Sequence, residues 1–426
     1  MSVFSKATAA RSRPRAIVLG GIALIGASAL VLSGCASGGS DDSGSGSSKP
    51  AGDLTLKLGT ALPQTGNLAF LGPPEEAGVG LAVKEVNDAN LGIKIDLTLG
   101  DSGDSDNKAY ATEVPRLLSE GVTAIIGAAS SGVSKLFIDE VTGAGVIQFS
   151  PANTSADFTT WDDNGLYWRT APSDVLQGEV LGNLIAEDGN ATLGIIYLND
   201  SYGTGLAKFT KEAFESAGGE VVAEQSYNTG DTSFDAQISA VKAENPDAIA
   251  IIAFEETKTI VPGLAGFPSD KLYFVDGNLA DYSADFAPGT LTGAKGTLPG
   301  LDTAKLGDFT DRLQAFVKDE GGEPLKDYSY AAESYDAVIL LALAALQAGS
   351  TEGADMAGEL QSVSGGKDDG EKVSTFEEGA KAIAEGKKIN YDGNSGPITF
   401  DENGDPTEAT IGIYQYGDDN KYTRTN

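Results

Sequence analysis

Histidine is absent from the 426 residues, and cysteine occurs once, at Cys35. Without histidine there is no Ser-His-Asp or Cys-His catalysis, and the commonest zinc ligand is missing. One cysteine cannot form an intramolecular disulfide, so stability must come from packed cores. Basic residues are scarce as well: 29 Lys and Arg stand against 62 Asp and Glu, a formal net charge of −33. Nucleic acid is a poor partner for such a surface, because affinity for it rests on neutralising phosphates. No G-x-G-x-x-G, Walker A or G-x-S-x-G pattern occurs, which argues against a nucleotide cofactor and a serine hydrolase of the G-x-S-x-G type. Paired-carboxylate hydrolysis stays open in principle. The expectation is a chain with no enzymatic activity, no cofactor and no bound metal.

What is present begins with a signal. Lys6, Arg11, Arg13 and Arg15 precede "AIVLGGIALIGASALVLSG" (16–34), an uncharged run that ends in small residues at Cys35. Its length would also permit a membrane-spanning helix, which needs about 20 apolar residues. The tetrapeptide "LSGC" (32–35) resembles the lipobox of bacterial lipoproteins. That resemblance implies cleavage after residue 34, acylation of Cys35 and anchoring to the outer face of the cell membrane. An incidental cysteine after an uncleaved anchor is the alternative, and either reading places the rest of the chain outside the cytoplasm. Residues 35–52 are a Gly/Ser tether with nothing apolar to fold around. Cleavage would remove four of the 29 basic residues and no acid. That leaves 392 residues with 25 Lys and Arg against 62 Asp and Glu, a formal −37. Spread along the chain, this charge reads as solubility.

About 370 residues beyond the tether exceed one core and suggest two domains. Short β-rich runs alternate with amphipathic helical patterns. Strands are expected at 54–62, 93–101, 123–130 and 146–152, with helices at 75–88, 107–121 and 131–145 between them. A second series has strands at 192–200, 220–227, 248–254 and 271–277, with helices at 174–188, 204–217, 234–245 and 257–266. Two such series imply an α/β protein of two Rossmann-like lobes with parallel central sheets and a ligand cleft between them. Residues 329–349 read as a buried helix, 351–375 as a surface excursion, and 395–419 as two strands around an Asn-Gly-Asp-Pro turn.

Ligands of open parallel sheets sit at the carboxyl ends of strands. There the chain places Ser130 and Ser131, either helix caps or hydroxyl donors to an anion. Asn153, Thr154 and Ser155 are turn formers or further donors. Tyr202 sits in a glycine-rich turn, as a surface aromatic or a cover over a small ligand. Glu255, Glu256 and Asp276 are solvated acids, a helix cap, or partners for an ammonium. Hydroxyls on one lobe and an acid on the other would suit a zwitterion.

The segments "LGTALPQTGNLAFLGPPEEAGVGLAVKEVN", "TAIIGAASSGVS", "GVIQFSPANTS", "YWRTAPSDVLQG", "IIYLNDSYGTGLA" and "GPITFDENGD" follow one another as in the type I periplasmic solute-binding proteins. The chain most resembles the branched-chain amino acid receptors of ABC importers, from about Leu54 to the C-terminus. The resemblance implies lobe 1 at 53–171 plus 300–395 and lobe 2 at 172–299 plus 396–426, joined by three crossovers. It assigns carboxylate binding to Ser131, Asn153 and Thr154, the lobe 2 tyrosine to Tyr202 and ammonium binding to Asp276. The leucine/isoleucine/valine receptors have glutamate at that last position. The aromatic that covers the ligand side chain in those receptors falls on Leu71, beside Phe70, and a second one falls near Phe254 or Glu255. The function implied is capture of a small ligand, a branched-chain or other amino acid, by a monomer that delivers it to ABC permease subunits. Relatives that bind amides, urea or aromatic acids mark an alternative ligand class. A sensing receptor of the same fold, an exported carboxylate hydrolase and a purely structural surface protein are the rival readings.

Overall fold

The computed structural model describes residues 54–302, 305–367 and 369–426. The expected signal, Cys35 and the tether lie outside them. The first sheet has five parallel strands: β1 (Leu54–Ala61), β2 (Ile93–Thr98), β3 (Ala124–Gly127), β4 (Ile147–Ser150) and β5 (Tyr167–Arg169). Their order is β2-β1-β3-β4-β5, with Leu54 opposite Ile93 and Leu58 opposite Ala124. Every residue of β3 and β4 is buried, as strands covered on both faces must be. The covering helices are α1 (Gly72–Ala89), α2 (Tyr110–Glu120), α3 (Ser131–Ser134) and α4 (Ile138–Gly143). Helix α1 starts with Pro73 and Pro74, where a missing N–H costs no helical bond, and stops at Asn90 in the left-handed region, φ 51°. The single helix expected over 131–145 is broken into α3 and α4. The break brings Phe137 into a small core with Val133 and Val141.

After β5 the chain crosses to a second lobe. There lie α5 (Asp174–Glu187), β6 (Thr192–Leu198), α6 (Ser201–Ser216), β7 (Glu220–Tyr227), α7 (Asp235–Ala243), β8 (Ala248–Ile252), α8 (Thr257–Gly263), β9 (Leu272–Phe274) and β10 (Lys295–Pro299). It then returns through α9 (Phe309–Asp319), α10 (Ala331–Ala348), α11 (Gly353–Val363), β11 (Glu371–Val373), α12 (Phe376–Ala384), β12 (Ile389–Gly393) and β13 (Gly396–Pro397). A last crossing leads to β14 (Ile411–Tyr416) and β15 (Tyr422–Arg424), completing a sheet of order β15-β14-β10-β9-β8-β6-β7.

Helix α10 is buried on all sides from Ala331 to Ala345 and is the spine of the lobe 1 core. It is long and apolar enough to cross a membrane, yet 83% of it is buried inside the protein. Against it, Gly78 of α1 approaches so closely that a Cβ there would run into the Ala331 carbonyl. Residues 351–375 are not a surface excursion. Met356, Leu360 and Val363 of α11 are fully buried in the same core, a sparse i, i+4, i+7 stripe that the surrounding Gly, Ser and Glu dilute in the sequence. Nor do residues 395–419 pair with each other as two strands. β13 joins a small sheet with β11 and β12, while β14 lies antiparallel to β10, with Lys295 opposite Gln415.

Candidate functional site

The strand ends of both lobes enclose a small, tightly closed cavity of about 10 Å³. Lobe 1 contributes Leu68 and Leu71 after β1, Ala129, Ser130 and Ser131 after β3, Ala152 after β4, and Tyr330 just before α10. Lobe 2 contributes Tyr202, Phe254, Asp276 and Gly277.

Local sequence explains how these side chains are aimed. Asp200 caps α6 by accepting from the Gly203 N–H at 2.8 Å, and any Cβ on Gly203 would collide with the Leu198 carbonyl. That tight turn buries Tyr202 and stacks it on Phe254, with centroids 5.3 Å apart and rings 18° from parallel. After β9, Asn278 fixes the turn that carries Asp276. Its Oδ1 accepts from the Val275 N–H at 2.8 Å, and its Nδ2 donates to the Ile251 carbonyl at 2.8 Å and to Thr257 Oγ1 at 2.9 Å.

Asp276 is the electrostatic centre of the cavity. Its Oδ1 accepts from Tyr202 Oη at 2.6 Å and Gln177 Nε2 at 3.0 Å, and its Oδ2 accepts from Tyr330 Oη at 2.7 Å. No cation pairs with it among the described residues. Burial raises its pKa from the usual carboxylate value, against the opposing effect of these donors. Asp174, also fully buried, has no hydrogen-bond partner on either oxygen among the described residues. Burial, and then the charge of Asp276, push its pKa well up. A buried carboxylate with oriented donors and no counter-charge is a site for a cation supplied from outside.

The opposite wall is neutral. Ser130 caps α3 by accepting from the Val133 N–H, while Ser131 Oγ accepts from the Ser155 N–H at 3.2 Å and keeps its own O–H to donate. The loop carrying Ser155 is held by Arg169, which is wholly buried. Arg169 grips Asp405 through two bonds of 2.6 and 2.8 Å and donates to the carbonyls of Asn153 (3.2 Å) and Ser155 (2.8 Å). Two distant segments, "YWRTAP" and "NGDP", thus meet to shape the anion-facing wall.

Of the expected residues, Ser131, Tyr202, Asp276 and Leu71 line the cavity. Asn153 does not. Its Nδ2 donates to the carbonyls of Ala128 and Ala129, and its Oδ1 accepts from Tyr167 Oη, so it pins the loop from behind. Thr154 is buried behind the lining with Oγ1 unpartnered. Glu255 points away: half-exposed, it pairs with Lys258 at 2.7 Å, and Phe254 takes the cavity position instead. Sequence reasoning missed Tyr330 and Gln177. Tyr330 was hidden at the start of an apolar helix. Gln177 shares the buried stripe of α5 with Leu181, and a polar residue on such a stripe is the signal that could have found it.

Around the cavity, hydrogen bonds span the lobes from Tyr330 to Asp276, from Asn67 Nδ2 to Glu256 Oε1 at 2.8 Å, from Ser155 Oγ to the Ser201 carbonyl at 3.1 Å and from the Asp174 N–H to the Thr154 carbonyl at 2.6 Å. The structure is therefore a closed form. Ser131 Oγ is bonded to a backbone amide rather than to a base.

Fold and site together define a two-lobed α/β solute-binding protein of the periplasmic type. The chain belongs to the periplasmic binding protein family, which matches residues 55–421. It is similar to the Leu/Ile/Val-binding protein homolog 1 of Brucella suis, 28% identical over 374 residues that cover 86% of this chain and 92% of the relative. It is also similar to the leucine-, isoleucine-, valine-, threonine- and alanine-binding protein of Pseudomonas aeruginosa. That match is 26% identical over 376 residues and covers 86% of this chain and 91% of that one. Among solved structures, the branched-chain amino acid transporter substrate-binding protein of Streptococcus pneumoniae, in complex with isoleucine, has the same fold. Its TM-score is 0.68, at 23% identity over 87% of this chain and all of that one. These relatives are solute-binding proteins rather than enzymes.

Proposed function

We propose that the protein captures a small aliphatic α-amino acid outside the cytoplasmic membrane, anchored through an acylated Cys35, and delivers it to an ABC permease. Asp276 carries this reading: a buried carboxylate with three side-chain donors and, among the described residues, no cation partner, beside an apolar cavity walled opposite by a serine whose O–H is available to donate. An α-ammonium supplies the missing charge there, and the ligand carboxylate meets Ser131. Leu68, Leu71, Ala129, Ala152 and Phe254 then enclose an aliphatic side chain. The names of the Brucella, Pseudomonas and Streptococcus relatives favour the same ligand class. Binding would hold the lobes closed, and only the closed form presents both to the permease in one arrangement.

The test is thermal unfolding of the soluble chain from residue 36 onward, refolded to remove carried ligand, against single amino acids, simple amides, urea and aromatic acids. Ligand at 100 times its dissociation constant adds about 2.7 kcal/mol, enough to raise the melting temperature by several degrees. A rise confined to aliphatic amino acids supports the proposal. A rise with amides or aromatic acids alone replaces the ligand class, and no rise across the panel removes the assignment.

A further inference from the structure

Beside the central cavity, on the flank where the chain recrosses between lobes, lies a second and larger pocket of about 880 Å³. Lobe 1 supplies Phe70 and Glu333 to its wall, and lobe 2 supplies Leu298, Asp281 and Tyr414. Tyr330 stands between the two spaces and lines both.

Glu333 points to an occupant. The residue is 7% exposed, and among the described residues its carboxyl group makes no hydrogen bond or ion pair to another residue. Its Oε1 lies where a Cβ on Gly300 would press against it, and Gly300 lines the same pocket with no side chain to cover it. Two other acids of the pocket wall are engaged. Asp281 pairs with Lys421 at 3.4 Å, and Asp327 accepts from the Ser329 N–H at 2.7 Å and from Tyr422 Oη at 3.3 Å. An unpartnered buried carboxylate in a roomy, largely apolar pocket matches one ligand chemistry: a cationic head on an apolar body.

We infer that this flank pocket is an accessory site for a protonated primary amine with an apolar body, its ammonium on Glu333. Because both lobes form the walls of the pocket in the closed form, an occupant that fits it stabilises closure. By reciprocity, it raises affinity for the ligand of the central cavity. The pocket's acids and lysines are Glu333, Asp281, Glu323, Asp327, Lys326 and Lys421, with Glu75 and Asp336 facing Glu333 from α1 and α10. Burial, opposed by its own backbone N–H and reinforced by Asp336, pushes the Glu333 pKa up to about 8. Amine binding must ionise it, so affinity rises about tenfold per pH unit up to about 8 and then levels.

The experiment is calorimetric titration of phenethylammonium into the soluble protein at pH 8.5, with 2-phenylethanol as the neutral control. Saturable binding of the amine alone, weakened at least tenfold in Glu333→Gln, supports the inference. Leu301→Trp, which fills the pocket from its wall, is the second variant and should likewise abolish binding. Two outcomes overturn it: no saturable heat, or wild-type affinity in both Glu333→Gln and Leu301→Trp. None of these readings uses isoleucine, so failure of the amino acid assignment would show separately.

Discussion

Tyr330, at the mouth of a lobe 1 helix, donates its hydroxyl across the interlobe gap to Asp276 of lobe 2, 2.7 Å away. The same contact closes the lobes and completes the donor set around the one buried acid of the cavity. Tyr330→Phe keeps the ring and removes the donor. A hydrogen bond to a charged group contributes about 1.5–3 kcal/mol, and part of this is recovered by the ligand ammonium, so amino acid affinity should fall about tenfold. Calorimetry on the pure variant measures it.

The second interlobe bond, from Asn67 to Glu256, lies away from the cavity lining. Asn67→Ala should leave the open form unchanged and weaken the closed one. Affinity should drop a few-fold through faster ligand release, with association rates nearly constant. Stopped-flow fluorescence separates the two rates.

Arg169 and Asp405 form a buried, two-bonded ion pair with no equivalent elsewhere in the described lobes. Asp405→Ala leaves the guanidinium buried and unpaired, which costs about 3–5 kcal/mol. It also releases the loop that turns the Ser155 N–H toward Ser131. Denaturant unfolding should show the loss in stability, and ligand affinity should fall with it.

Glu333 gives the stability a pH signature. Its folded pKa, about 8, exceeds the unfolded value, so the folded state binds more protons between the two. The stability it contributes is fully present below the unfolded pKa and is lost as pH rises through about 8. Glu75, fully buried with both oxygens unpartnered, shifts in the same direction. Melting temperature should therefore decline from pH 5 to pH 8.5, and Glu333→Gln should flatten that decline.

Much of this architecture was legible because a parallel sheet writes itself as short apolar runs separated by amphipathic helices. β1, β7 and α5 fall within a residue of their expected limits. The errors have physical causes. The stripe of α11 is too sparse to stand out from its polar neighbours, and β13 and β14 pair with strands far away in the chain rather than with each other. At the site, residues that meet the cavity directly after a strand, Ser131 and Asp276, were visible from position alone. Asn153 and Glu255 occupy equally suggestive positions, but a side chain's direction depends on partners such as Tyr167 and Lys258 that local sequence does not reveal. Tyr330 and Gln177 reach Asp276 from helices remote in sequence.

The most direct test is isothermal titration of isoleucine into the refolded soluble protein and its Asp276→Asn variant. The substitution keeps the shape and removes the charge. Removing one partner of a buried charge pair costs about 2–5 kcal/mol, so the account predicts one site per chain in the wild type and affinity at least about thirtyfold weaker in the variant. Equal affinity in the two would show that Asp276 does not hold the ligand, and the assigned site would be wrong.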